Sequence, residues 1–162
     1  MRSMKKIYSK ILIALACLIL LGLGIVIGSS IYRKETASAN YGDLKSLHYY
    51  TGGGFAGLIE NYEITQEGDK FILSARVDSL NVSGEINAAA MDDLRDIIAE
   101  QDLFRRNGDS KRDENLADGY GESLTAEFEK TTLTFSYYGT SLRRNEALCK
   151  YLYHLAEELD PS

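Results

Sequence analysis

Five stretches of the chain alternate apolar and polar residues, and two others repeat at helical spacing. "LKSLHYY" (44–50) sets Leu47 and Tyr49 on one face and predicts a first strand. "LIENYEIT" (58–65) sets Leu58, Tyr62 and Ile64 on one face, with Glu60 breaking the alternation. "KFILSARVD" (70–78) alternates Phe71, Leu73, Ala75 and Val77 with polar positions, and the "QEGD" turn before it makes the two runs a hairpin. From Asn87 to Phe104 the period changes, with Ala90, Met91, Leu94, Ile97, Ile98 and Gln101 recurring at helical spacing. Asn87 suits an N-cap, Asp92 and Asp93 lie towards the positive end of the helix dipole, and Ile86 and Met91 occupy the positions of a hydrophobic staple. A long polar loop (105–122) separates this helix from a second hairpin, "SLTAEFE" and "TLTFSYY". A last helix, Arg143 to Leu159, carries Leu148, Leu152, Leu155 and Leu159 on one stripe, with Pro161 just beyond it. The order β-β-β-α-β-β-α predicts a two-layer α+β domain, an antiparallel sheet of about five strands with two helices on one face.

Before all of this stands "ILIALACLILLGLGIVIG" (11–28), 18 residues without a charge. As a helix it spans roughly 27 Å, close to a bilayer core of about 30 Å. Tyr8 and Tyr32 flank it where aromatic rings favour the interface. Arg2, Lys5, Lys6 and Lys10 precede it and only Arg33 and Lys34 follow, which orients the N-terminus inside the cell. The rival is a cleaved signal peptide with "ASA" (37–39) as its site, but the apolar run is long for that purpose and the site lies 11 residues past Gly28. A lipoprotein reading of Cys17 meets a poor upstream box, and the apolar run continues beyond it. The chain therefore divides into a basic cytoplasmic tail (1–10), an anchor (11–32), a small polar tether (33–43) and an extracytoplasmic domain (44–162) of a single-pass membrane protein.

The two halves differ in charge. Residues 1–39 hold six Lys/Arg and one Asp/Glu, net +5, while residues 40–162 hold 12 and 23, net −11. Such an acidic domain repels nucleic-acid phosphates and anionic lipid, which excludes nucleic acid as a partner and a flat membrane-surface role. Solubility is the simplest use of the charge. Cys149 is the only cysteine beyond the anchor, so the outer domain has no internal disulfide and Cys149 is expected as a buried free thiol.

"TGGGFAG" (51–57) contains a literal G-x-G-x-x-G at Gly52, Gly54 and Gly57, and Asp78 lies 21 residues later, the spacing of a dinucleotide site. That site needs a helix directly after the glycines, whereas the following run reads as a strand. The glycines instead suit positive φ and close backbone approach, and no nucleotide or other cofactor is expected. His48 and His154 stand 106 residues apart without an H-E-x-x-H or a cysteine pair, so no metal site is expected. The acidic loop "DSKRDENLADGYGE" fails the calcium-loop template, with Lys111 and Glu114 where Asp/Asn and Gly belong. No G-x-S-x-G stands in the chain. The carboxylates Asp92, Asp93, Asp96 and Glu100 read as a wet helix face, and the chain is not expected to be an enzyme. What remains is contact surface: Tyr49, Tyr50, Phe55 and Tyr62 crowd the glycines, and Tyr and Phe beside flexible backbone suit a protein partner. Tyr49 is expected to pack the sheet instead.

"GGFAG" (53–57) after a first strand, a strand pair, a helix ending "AEQDLF" (99–104), then "DGYGESLTAEFE" (118–129) and a further strand resemble the emfourin-like family of small bacterial proteins. Its named members are proteinaceous inhibitors of thermolysin-like metallopeptidases. The likeness runs roughly from Leu47 to Leu159 and implies a protein contact made by Gly53, Gly54, Phe55, Ala56 and Gly57, with Tyr50 beside them. The anchor departs from the soluble form of that family and implies a target at or outside the membrane. The alternative is an envelope-associated structural or interaction protein with no peptidase target.

Overall fold

The computed structural model describes residues 40–53, 57, 59–113, 119–139 and 145–160. The chain divides into two units, Met1–Thr36 and Ala37–Ser162, and all described residues belong to the second. The predicted tail (1–10), anchor (11–32) and most of the tether lie outside the described residues, as do Gly54, Phe55 and Ala56. Among the described residues no helix is long and apolar enough to cross a membrane.

The domain is α+β. Strands β1 (Leu44–Gly53), β2 (Ile59–Glu67), β3 (Lys70–Val77) and β4 (Leu80–Ile86) lead into helix α1 (Ala88–Glu100) and a 3-10 turn (Leu103–Arg106). Strands β5 (Ser110–Arg112), β6 (Tyr120–Phe128) and β7 (Thr132–Tyr138) and helix α2 (Glu146–Leu159) complete it. They build one seven-stranded sheet in the order β4-β3-β2-β1-β6-β7-β5. All neighbours are antiparallel except β5 and β7, which run parallel.

Two strands are additional to the expected five, and the sheet is mixed rather than purely antiparallel. The alternation of β4 (Leu80, Val82, Ile86) is broken by Gly84, and its hairpin turn is Asp78-Ser79, with Asp78 rather than a glycine at positive φ (+48°). That turn lacks the usual Asn-Gly or Asp-Gly signal, so the strand is hidden from a pattern search. β5 is three exposed residues in a polar loop, too short for any period to register.

Register explains the core. Leu73, Ile64, Leu47, Ala126 and Leu133 lie opposite one another across five strands, and Ala75, Tyr62, Tyr49, Leu124 and Phe135 form the next row. Every one of these ten side chains is buried. Cross-strand rows of this kind are the unit of sheet stability, and each fully buried large side chain contributes about 1.5–3 kcal/mol of transfer free energy. Both helices cover this face. α1 buries Ala90, Met91, Leu94, Ile98 and Ala99; α2 buries Leu148, Cys149, Leu152, Leu155 and Ala156. The opposite face is mostly polar, with Ser74 and Ser83 sharing a hydrogen bond of 2.9 Å and His48 and Asn61 one of 2.8 Å. Sequence periodicity locates both helices, but α1 ends at Glu100 and only the 3-10 turn carries Leu103 and Phe104.

Asn side chains start both helices. Asn87 Oδ1 accepts from the Ala90 amide at 2.8 Å, and Asn145 Oδ1 accepts from the Leu148 amide at 2.9 Å. Asn87→Ala and Asn145→Ala should each lower unfolding free energy by about 1 kcal/mol. The two losses should add, since the caps share no partner. Denaturant titration of the single and double variants, followed by circular dichroism, checks this; a double-variant loss no larger than either single loss would refute independent capping.

Candidate functional site

The row of core-facing positions nearest the glycines is not apolar. Val77, Glu60, Thr51, Glu122 and Tyr137 lie opposite one another there, so three polar residues of adjacent strands enter the core face together. β1 ends and β2 begins at this end of the sheet, and so do the end of β7, the start of β6 and the start of α2. The described ends of three connections therefore lie there: Gly53 and Ile59, Asp113 and Gly119, Gly139 and Asn145.

Glu122 is the centre of the arrangement, its side chain without solvent exposure. Its Oε1 accepts from the Tyr49 hydroxyl at 2.8 Å and from the Asn145 amide at 2.9 Å. Its Oε2 accepts from Arg106 Nη2 at 2.7 Å. Asn145 caps α2, so the carboxylate also stands at the positive end of that helix. The Cys149 thiol, one turn into α2, donates to the Tyr49 hydroxyl at 3.3 Å. Cys149 is thus the expected buried free thiol, and Tyr49 packs the sheet as expected. The Arg106 guanidinium lies 3.8 Å from the centre of the Phe135 ring and 4.5 Å from that of Tyr137, a cation–π seat that shields it from water. Tyr137 Oη accepts from Arg106 Nε at 3.3 Å and donates to Asp109 at 2.7 Å. Thr51, also buried, bonds the Tyr120 hydroxyl. Tyr62 donates to Glu60 at 3.3 Å, so the residue that spoils the β2 alternation takes part in the polar row.

Chemically this is a held charge. Burial weakens the Arg106 cation, but its bonds to Glu122 and Tyr137 outweigh that and raise its pKa. Burial pushes the Tyr49 hydroxyl far above the ordinary tyrosine value, and Cys149 and Glu122 push it further. Tyr137 is raised by burial and by its bond to Asp109, with Arg106 pulling the other way.

Of the residues singled out for contact, Gly53, Gly57 and Tyr50 fall among those described; Gly54, Phe55 and Ala56 do not. Gly53 has φ +101°, and a Cβ there would stand 2.9 Å from the Gly119 carbonyl oxygen. It lets β1 and the start of β6 close together, the use expected of the glycines. Gly57 has φ +64°, is exposed, and has open space where a Cβ would go. Tyr50 lies half-buried on the polar face of the sheet, opposite Asn61 and Ser123, and so on the other side from Glu122. Ile59, at the far side of the glycine connection, is 43% exposed. The segment after Gly57 is β2, which removes the βαβ context a dinucleotide fingerprint needs. His48 bonds Asn61, and His154 faces Glu158 at 3.4 Å on α2. Among the described residues no three of His, Cys, Asp and Glu gather where they could hold a metal ion.

Sequence reasoning missed Glu122, Arg106 and Thr51. A signal for two of them existed: extending the β6 alternation of Leu124, Ala126 and Phe128 back by two residues lands on Glu122, and extending Leu47 and Tyr49 forward lands on Thr51. A carboxylate at an inward strand position implies a partner. No family model and no curated protein sequence matches the chain.

Gly53→Ala should destabilise the fold by about 1–3 kcal/mol, because a non-glycine residue is strained at that φ and its Cβ meets a backbone oxygen. Gly57→Ala meets no neighbour and should cost only about 1 kcal/mol for its left-handed conformation. Equal losses in thermal unfolding would remove the close-approach role of Gly53.

The raised tyrosines also set an alkaline limit. They hold their protons more tightly folded than unfolded, so the stability they support is complete below the unfolded value of about 10 and falls as pH rises past it. Denaturation midpoints should hold steady up to about pH 10 and drop above it, and less steeply in Tyr49→Phe. Ionisation of all eleven tyrosines near pH 10 in the still-folded protein, read by ultraviolet absorbance, would contradict this.

Proposed function

We propose that the chain is a membrane-anchored, extracytoplasmic domain that binds a protein through the connections beside Gly53 and does no chemistry of its own. The observation that carries the reading is that the described ends of three connections converge at one end of the sheet, beside a buried ionic node. Binding surfaces are commonly loops positioned by a rigid scaffold. Gly53 and Gly57 at positive φ and the exposed Ile59, with Tyr50 on the polar face of β1, supply backbone freedom and apolar contact at this end of the sheet. The uncharged run 11–28 with its cationic flank supports the anchor and puts the domain outside the cell. The likeness of "GGFAG" and the segments after it to emfourin-like proteins supplies the partner class. In this reading the domain occludes the cleft of a thermolysin-like metallopeptidase at or beyond the membrane.

The full chain in detergent micelles should slow peptide hydrolysis by such a peptidase at micromolar concentration, and Phe55→Ala should weaken the effect at least tenfold, about 1.4 kcal/mol. Unchanged hydrolysis across a panel of thermolysin-like enzymes would overturn the inhibitor assignment. The envelope-protein alternative would then be favoured by co-purification of a non-peptidase envelope protein with the anchored chain.

A further inference from the structure

The two edges of the sheet are built differently. β5 closes one side with three residues, Ser110–Arg112, all exposed, and two of them are cations. A very short edge strand carrying Lys and Arg is the usual protection against sheet extension. β4 closes the other side with seven residues, no proline and a single charge, Glu85. That charge is already held by Lys70 at 2.6 Å. β3 lies along one side of β4 and no described strand lies along the other, so a row of backbone N–H and C=O groups faces outward. Beneath them, Leu80 and Val82 are only half-buried against the core. Leu159 at the end of α2 closes over Gly84, where a Cβ would stand 2.8 Å from its Cδ2. The apolar layer therefore runs to the edge, with Leu80 and Val82 half-buried beside the Leu159 contact.

We infer that β4 is a self-pairing edge, at which a second copy of this chain adds its own β4 antiparallel and joins two sheets into one. The strand is complementary to itself about Ser83. In that register Ser83 meets Ser83, and Asn81 meets Glu85 of the other copy, an amide against a carboxylate. On the helix side Leu80 meets Ile86, and Val82 meets Gly84 and the Leu159 side chain that covers it, apolar against apolar. No like charges oppose each other, which would be the expected obstacle between domains that each carry −11. A one-residue slip would turn the Val82 side of one copy towards the polar face of the other, so the register is specified. This inference is independent of any peptidase target.

Cross-linking tests it directly. Residues directly opposite in an antiparallel pair have Cα atoms about 4.5–5.5 Å apart, within the roughly 4.4–6.8 Å that a disulfide spans. In the Ser83-centred pair the two Asn81 positions are four residues apart along the strands, about 14 Å, and cannot be bridged. The full chain in detergent, with Cys17→Ser leaving only the buried native Cys149, carries Ser83→Cys or Asn81→Cys as the probe. Ser83→Cys should give a disulfide-linked dimer under mild oxidation at least tenfold faster than Asn81→Cys, and sedimentation should report a dimeric mass. A monomeric mass overturns the inference. So does a dimer whose cross-linking is no faster at position 83 than at 81, since such a dimer would be held elsewhere.

Discussion

A carboxylate that has lost all contact with water is tolerated only if donors replace the water it has lost. Glu122 meets that condition with three donors from three different parts of the chain: the Tyr49 hydroxyl, the Asn145 amide and the Arg106 guanidinium. Each donor is fixed by something else. Tyr49 sits in a fully packed cross-strand row, Asn145 is the cap of α2, and Arg106 lies against the rings of Phe135 and Tyr137. The entry angle of α2, the seat of the 3-10 turn and the spacing of β1 from β6 therefore cannot move separately. Replacing such a node by apolar residues need not weaken a protein, but removing one member leaves a buried charge unpaired at a cost of about 3–5 kcal/mol. Its effect is to fix geometry, and the geometry it fixes is the end of the sheet where β1, β6 and α2 come together.

The rows across the sheet explain why the node stands where it does. Two rows are built of aliphatic and aromatic side chains and lie under the helices, with the Tyr49 and Tyr62 hydroxyls reaching into the third. The third, one step nearer the glycines, turns polar in Glu60, Thr51 and Glu122. A further apolar row would have needed a longer helical cover. A polar row with internal partners ends the core without exposing hydrocarbon, and it leaves the adjoining backbone free to run in glycine conformations. Gly53 exploits this: at φ +101° with the Gly119 carbonyl close by, it brings two strands together at a point no side chain could occupy.

Much of this was legible in the sequence, and the gaps have physical causes. Both helices follow from stripes such as Leu148, Leu152 and Leu155, because a helix buried along one face must repeat near 3.6. Five strands follow from period two. β4 was hidden because its middle inward position is Gly84, chosen by the approach of Leu159, a contact from the other end of the chain. β5 was hidden because three residues carry no period, and it exists through pairing with β7. The ionic node was hidden for a related reason. Glu122 reads as a surface acid until its strand parity is followed inward, and nothing local in "LFRRNGD" says that Arg106 folds over Phe135, about thirty residues on. Local pattern reports which face is buried; it does not report which polar residue has been brought a partner.

The glycine string carries the same lesson in reverse. Gly52, Gly54 and Gly57 match a dinucleotide fingerprint letter by letter, and Asp78 stands at the expected distance, yet β2 follows where a helix must stand. A phosphate-binding turn uses glycine so that backbone can approach a ligand in front of a helix N-terminus. Here Gly53 serves backbone approaching backbone, Gly57 only adopts a left-handed φ, and the positive end of α2 already holds Glu122. The glycine string therefore meets neither requirement of a phosphate cradle: β2 follows it in place of a helix, and the N-terminus of α2 is taken by the protein's own carboxylate.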